Sequence, residues 1–451
     1  MIRETAVRRY YGSETEYGYR LKKGQVGPIT EQKTPPGIVH IGQYLENGGR
    51  LYQDVGQLEY ATPECEKLDD LIKHELAGEE MIWEAYGNSR SKAETIHKRC
   101  ISPDGLYSSG AHENYSTAID IWNGPNMEEQ RDNLATHFAT RSMYIGAGQQ
   151  TNDGFALAQK IQDLSELTGQ NALRSKALVN TRNEPHAGGS KLHRLHVVCG
   201  DPNLSPWAIR MKYATTSLEL RLLEHGYNND LILQDPLKAS KLVAKGIEGI
   251  STPLRLRSGK TATAVELQLA RAEQAAMLSE LIELPEQERA MIPEWFQILD
   301  ALKKYSKTGE SEAPMEQIDW FAKLSLINGY KEKKGEISTS RAMQLDLLYD
   351  QVPNGLHKSL RKGVFAPAMP SKTQIQEAKT TAPSGGRAQL RGELIKSLAQ
   401  RTEASGNKPY NTISWDQYHD GKKASSLGPI EAHYTTEEIT EKVLVLTSSN
   451  L

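Results

Sequence analysis

In Tyr11-Gly12-Ser13-Glu14-Thr15-Glu16-Tyr17-Gly18 a strand would send alternate side chains to opposite faces, placing Glu14 and Glu16 together on one of them. Two carboxylates held side by side repel unless a cation sits between them. Hard oxygen ligands suit Mg²⁺, which keeps several waters and takes further ligands from a substrate phosphate.

Working outward, Asn47-Gly48-Gly49-Arg50-Leu51-Tyr52-Gln53-Asp54-Val55 is a turn followed by alternation. Arg50, Tyr52 and Asp54 share one face, Leu51, Gln53 and Val55 the other. The first set makes a poor core face and a good site face: a phosphate fork, a phenol oxygen and a carboxylate base. Glu59-Tyr60-Ala61-Thr62-Pro63-Glu64-Cys65 adds a carboxylate and a hydroxyl. In Ser108-Ser109-Gly110-Ala111-His112-Glu113-Asn114-Tyr115, His112 and Asn114 share a face. Asn180-Thr181-Arg182-Asn183-Glu184-Pro185-His186 leads into Arg194-Leu195-His196-Val197-Val198, where Arg194, His196 and Val198 alternate with apolar neighbours.

Taken together and in this order, these stretches resemble the Pup ligase and depupylase family, where Pup is the prokaryotic ubiquitin-like protein. That family carries a G-[IT]-E-[TV]-E-[FY]-G opening, then N-G-A-R-L-Y-x-D, P-E-Y-[AS]-[TA]-x-E-C, H-E-N-[YF] and N-T-R-[DN]-E-P-H-A, each with a near match here. Ala264-Val265-Glu266-Leu267-Gln268, Ile318-Asp319-Trp320, Gln344-Leu345-Asp346-Leu347 and Leu390-Arg391-Gly392-Glu393 also look familial, so the resemblance covers nearly the whole chain. It implies an α+β, glutamine synthetase-like fold: a curved, mostly antiparallel sheet cradle packed with helices, plus a small C-terminal domain. It implies an ATP- and Mg²⁺-dependent carboxylate–amine ligase, with Mn²⁺ as the alternative ion. Glu14, Tyr52 and Glu59 correspond to magnesium ligands, Arg50, Thr62 and Trp415 to ATP contacts, and Asp54 to the proton acceptor. Facing geometry adds Glu16 and His112 to the metal set, His112 by analogy with the metal-binding histidine of glutamine synthetases. Arg182 and Arg194 are candidates for the cationic fork beside the acyl position.

The family's hydrolases carry a long insertion after the first Glu segment. Here only residues 19–46 lie between that segment and Asn47, which is ligase-like, as is Asp54-Val55-Gly56. The expected carboxylate is a glutamate, on Pup or on a small molecule, and the acceptor is a lysine or small amine. The alternatives are a ligase of amino acids or small peptides unrelated to Pup, a depupylase or deamidase of Pup, and an ATP-binding pseudoenzyme.

Bulk properties fit that reading. Lys+Arg number 54 and Asp+Glu 57, a net charge of −3, without the basic excess of a nucleic-acid binder. Cys65, Cys100 and Cys199 have neither metal-type nor redox-type spacing, as expected of reduced thiols. No apolar leader follows Met1 and no run approaches the roughly 18 apolar residues of a membrane span, so a cytoplasmic protein without membrane partners is expected.

Strands are expected at 11–20, 48–56, 93–100, 112–120 and 194–200. Helices are expected at Glu64–Tyr86, from an N-cap at Ser205 to His225, and at Thr261–Leu284, Pro293–Tyr305, Met315–Asn328, Ser340–Tyr349, Ala388–Arg401 and Thr436–Leu444. Pro, Gly and Thr punctuate residues 366–387, read as a domain boundary or a mobile loop, dividing a catalytic domain, 1–375, from a C-terminal domain, 376–451.

Overall fold

The computed structural model describes residues 4–24, 34–54, 56–87, 93–102, 105, 107–170, 176–182, 189–228, 230–405, 412–420 and 423–448. Val55 and Asn183 to His186, named above, lie outside them.

The centre is a nine-stranded sheet: β1 (Tyr11–Leu21), β2 (His40–Ile41), β3 (Tyr44–Leu45), β4 (Arg50–Asp54), β5 (Gln57–Ala61), β6 (Ala93–His97), β7 (Ala111–Thr117), β8 (His193–Val197) and β9 (Gln351–Val352). The order is β8-β7-β1-β5-β4-β3-β2, and the far half of β1 pairs with β6, which pairs with β9. These pairings are antiparallel. β1 follows its alternation: Tyr11, Ser13, Thr15 and Tyr17 are buried, and Gly12, Glu14, Glu16 and Gly18 face the open side.

The helices are α1 (Leu68–Tyr86), α2 (Met127–Thr140), α3 (Pro206–Glu224), α4 (Ala264–Leu281), α5 (Met291–Thr308), α6 (Asp319–Lys334), α7 (Thr339–Tyr349), α8 (Lys372–Thr380), α9 (Arg387–Ser405) and α10 (Thr436–Ser448). α1 and α3 pack on the buried face. A Cβ on Gly78 of α1 would lie 2.2 Å from the Tyr60 ring, and Tyr213 of α3 donates to Gly12 O at 2.9 Å. Ser205 caps α3 as expected, with Pro206 at its first position.

Some boundaries differ from expectation. α1 starts at Leu68 rather than Glu64, because Cys65 is bonded to Tyr11 through both backbone groups (2.7 and 2.9 Å) and cannot be helical. α4 is shorter than 261–284: Thr263 and Glu266 form a capping box at its start, and Ile282–Glu283 pair with Glu4–Thr5. A 3₁₀ turn, Ala313–Gln317, precedes α6. β5 and α2 were not foreseen. β5 is buried at four of its five positions, and α2 buries Asn133, Thr136, His137 and Thr140 beside its apolar residues, so neither shows a clean two-sided period.

Residues 366–387 hold α8, with a Ser371–Gln374 capping box, packed on α1 through Lys379, 2.8 Å from Glu80 and 2.6 Å from Glu84. The main core extends to Ala378. A second core gathers Leu390, Leu394, Ile395, Leu398, Ile413, Tyr418, Leu427 and Ile439 around Tyr44, so its boundary with the main core falls after α8. All three cysteines are free and buried. Among the described residues no helix is long and apolar enough to cross a membrane.

Candidate active site

Register assembles the site. Directly opposed residues of antiparallel strands share a face. Glu14 on β1 opposes His112 on β7, Glu16 opposes Glu59 on β5, and Glu59 opposes Tyr52 on β4. One strand further, His196 on β8 opposes Asn114. Residues more than 180 positions apart thus form one polar surface on the open side.

Two groups of ligand-type atoms result, each gathered within 4.8 Å: Glu14, His112 and His196, and Glu16, Asp54 and Glu59. Glu14 Oε2 lies 3.3 Å from His112 Nδ1 and 3.4 Å from His196 Nε2. Its Oε1 accepts from Arg194 Nη2 at 2.8 Å and Asn114 Nδ2 at 3.2 Å. Burial alone would raise the Glu14 pKa, but the Arg194 guanidinium, helped by hydrogen bonding from the His112 and His196 rings, holds it well below the usual carboxylate range. Burial pushes His196 down to about 4, so its imidazole is neutral, the form that binds metals.

The second group is all oxygen. Glu16 accepts from Gly110 N–H at 2.7 Å, and the Tyr52 hydroxyl donates to Glu59. Burial and the charges of Glu14, Glu16 and Asp54 push Glu59 up to about 9. A carboxylate so disfavoured as an anion fits a hard divalent cation, which would supply the missing positive charge. Asp54 is exposed at the outer end of β4.

Beside these groups a cleft of about 640 Å³, its open mouth included, is lined by Gly12, Ser13, Glu14, Thr62, Arg194 and Trp415 among others. Thr62 is buried, and its Oγ1 accepts from Ser13 N–H at 3.0 Å. Trp415 stands edge-on to Tyr44 with ring centres 5.3 Å apart. Arg50 does not line this cleft. Its guanidinium lies 4.0 Å from the Tyr52 ring centre and 5.4 Å from that of Tyr44, bridging the carboxylates and the aromatic wall.

The structure therefore brings Glu14, Glu16, Tyr52, Asp54, Glu59 and His112 onto one surface and places Thr62 and Trp415 in the adjoining cleft. Arg182, the other half of the expected fork, is exposed, and its N–H donates to Asn180 Oδ1 at 2.9 Å. His196 was not among the expected ligands. Its alternation with Arg194 was the available signal, but only β8 pairing beside β7 puts it next to His112, with ring centres 5.0 Å apart. Lys160 was also missed. It is buried and donates to Ser109 O at 3.0 Å and Ser108 Oγ at 3.1 Å, bracing the segment whose Gly110 N–H holds Glu16.

A model of the Pup-ligase protein family matches residues 12–419. A Pup–protein ligase of Acidimicrobium ferrooxidans is 31% identical over 436 residues, covering 91% of this chain and 92% of that one. One from Kribbella flavida is 31% identical, covering 87% and 90%. Among solved structures, the ligase PafA in complex with Pup matches with a TM-score of 0.80 at 24% identity, over 98% of this chain and 93% of that one. PafA in complex with ADP matches with a TM-score of 0.74 at 25% identity, over 90% and 89%.

Proposed function

Because the chain belongs to the Pup ligase family, we propose that it is an ATP-dependent ligase joining a glutamate carboxylate of Pup to the side-chain amine of a protein lysine. The observation that carries this reading is the convergence of two ligand groups on one sheet face beside a cleft walled by Thr62 and Trp415.

A carboxylate does not condense with an amine at neutral pH, because oxide is too poor a leaving group. A carboxylate oxygen that attacks the γ-phosphorus of ATP expels ADP and leaves an acyl phosphate. The amine then attacks the acyl carbon, phosphate departs, and the amine's proton must be taken up. Asp54 is assigned that proton: it is the carboxylate of the second group that solvent, and hence an incoming lysine, reaches. Thr62 and Trp415 are assigned to ATP, Trp415 offering its ring to the base, and Arg50 to the phosphates. Glu14, Glu16, Tyr52, Glu59 and His112 would hold Mg²⁺, with Mn²⁺ as the alternative. The ion neutralises phosphate charge when bound. Tyr52 holds Glu59, Gly110 N–H orients Glu16, and Arg194 fixes Glu14. The buried, unpaired thiols fit a cytoplasmic site of action.

The test is mass spectrometry of the purified enzyme with ATP, Mg²⁺, a Glu-ended Pup and a lysine-bearing protein, beside free glutamate and a small amine. A Pup–lysine conjugate with ADP and phosphate is expected. Condensation of free glutamate alone would make this a small-molecule ligase. Conversion of a Gln-ended Pup to its Glu form without ligation would make it a hydrolase.

A further inference from the structure

The familial stretch Leu390-Arg391-Gly392-Glu393 on α9 has no part in the chemistry above. Leu390 belongs to the second core, but Arg391 is fully buried and reaches out of that core. Its Nε and Nη2 donate to Gly48 O at 2.9 and 2.6 Å, and its Nη1 donates to Trp415 O at 2.6 Å. Nη2 also donates to Glu64 Oε2, with Nη1 at 3.4 Å from Glu64 Oε1. The guanidinium lies 4.9 Å from the Trp415 ring centre.

Those three anchors are not scattered. Gly48 is two residues before Arg50, Glu64 is two residues after Thr62, and Trp415 is the third residue assigned to ATP. One side chain therefore ties together the three segments that carry the nucleotide contacts, though they come from opposite ends of the chain. Its neighbours are shaped for the approach. A Cβ on Gly392 would lie 2.2 Å from Glu46 O. Gly48 has φ of +79°, and a Cβ there would lie 2.7 Å from Ala388 O.

We propose that Arg391 is a positioning residue for the base of ATP: it fixes Trp415 against the Gly48–Arg50 turn and the Thr62–Glu64 segment, so the base subsite exists only while α9 is docked on the sheet. The proposal rests on the reading of the Trp415 cleft as the nucleotide site. Lysine at this position keeps the charge opposite Glu64 but loses the planar fork that serves three acceptors at once.

The experiment compares the Mg²⁺ complexes of ATP and inorganic tripolyphosphate, which lacks base and ribose, by calorimetric titration of the full chain. Wild type should bind ATP more tightly. Arg391→Lys should lose about tenfold or more of that preference, with tripolyphosphate affinity unchanged. Trp415→Ala should lose it too, and the double variant should lose little more. A preference retained in Arg391→Lys, or an equal loss for both ligands, overturns the proposal. Absence of the preference in wild type overturns the nucleotide reading instead. A second readout uses wild type alone: amide exchange in α9 should slow with ATP and not with tripolyphosphate. Equal slowing by both also overturns it.

Discussion

Asp54 and Glu59 are both carboxylates of one group, yet their surroundings give them different tasks. Asp54 is exposed and Glu59 is buried. If Asp54 takes the amine's proton, Asp54→Asn keeps ATP affinity and loses about 10²–10⁴-fold in turnover. Calorimetric titration and a single-turnover assay check the two halves separately, and wild-type turnover would remove Asp54 from the mechanism. Glu59 makes a pH prediction. Its pKa is raised from 4.5 to about 9, so over that window the native state holds a proton that the unfolded chain has released. That contribution to stability is complete below the unfolded value and is lost as pH rises through about 9. Without divalent ions the melting temperature should therefore fall from about pH 6 to pH 9, and Mg²⁺ should flatten the fall. Glu59→Gln should flatten it without Mg²⁺. A wild-type profile that Mg²⁺ leaves unchanged would take Glu59 out of the metal site.

Between elements, the polar surface depends on how closely α1 approaches the sheet. Gly78 sits where a Cβ would be 2.2 Å from the Tyr60 ring, and Tyr60 is adjacent to Glu59 on β5. Gly78→Ala overpacks that contact, and a loss of about 1–3 kcal/mol is expected, read as a lower denaturation midpoint at unchanged m-value. The small gain in helix propensity does not offset it. Unchanged stability would mean that α1 shifts freely. The same contact shows what periodicity reads and what it misses. β1 was legible because one of its faces is wet, whereas β5 and α2, covered nearly all round, were not.

At the scale of the whole molecule, two of the hydrophobic cores among the described residues, of unequal size, are joined at the cleft walled by Thr62 and Trp415. The smaller one is held to the sheet by Tyr44 and by Glu64, whose carboxyl Arg391 and Arg387 hold at about 2 against the effect of burial. A small satellite core opens at lower free energy than the main one. Amides of α9 and α10 should therefore exchange faster than those of α1 and α3. ATP at about 100 times its Kd should slow α9 by up to about a hundredfold. Equal exchange in all four helices would mean one cooperative unit.

By itself the sequence determined the alternation of β1 and β4, the cap of α3, the family, and the residue types of the site: Glu14, Glu16, Tyr52, Asp54, Glu59 and His112. These are legible because they depend on spacings of two to four residues, which any chain displays along its length. Only the tertiary structure decided that β8 lies beside β7, bringing His196 to Glu14, and that α9 reaches back to Gly48. Strand order and helix docking minimise exposed apolar surface over the whole chain at once. No local window holds the information that sets Arg391 against residues more than 300 positions away.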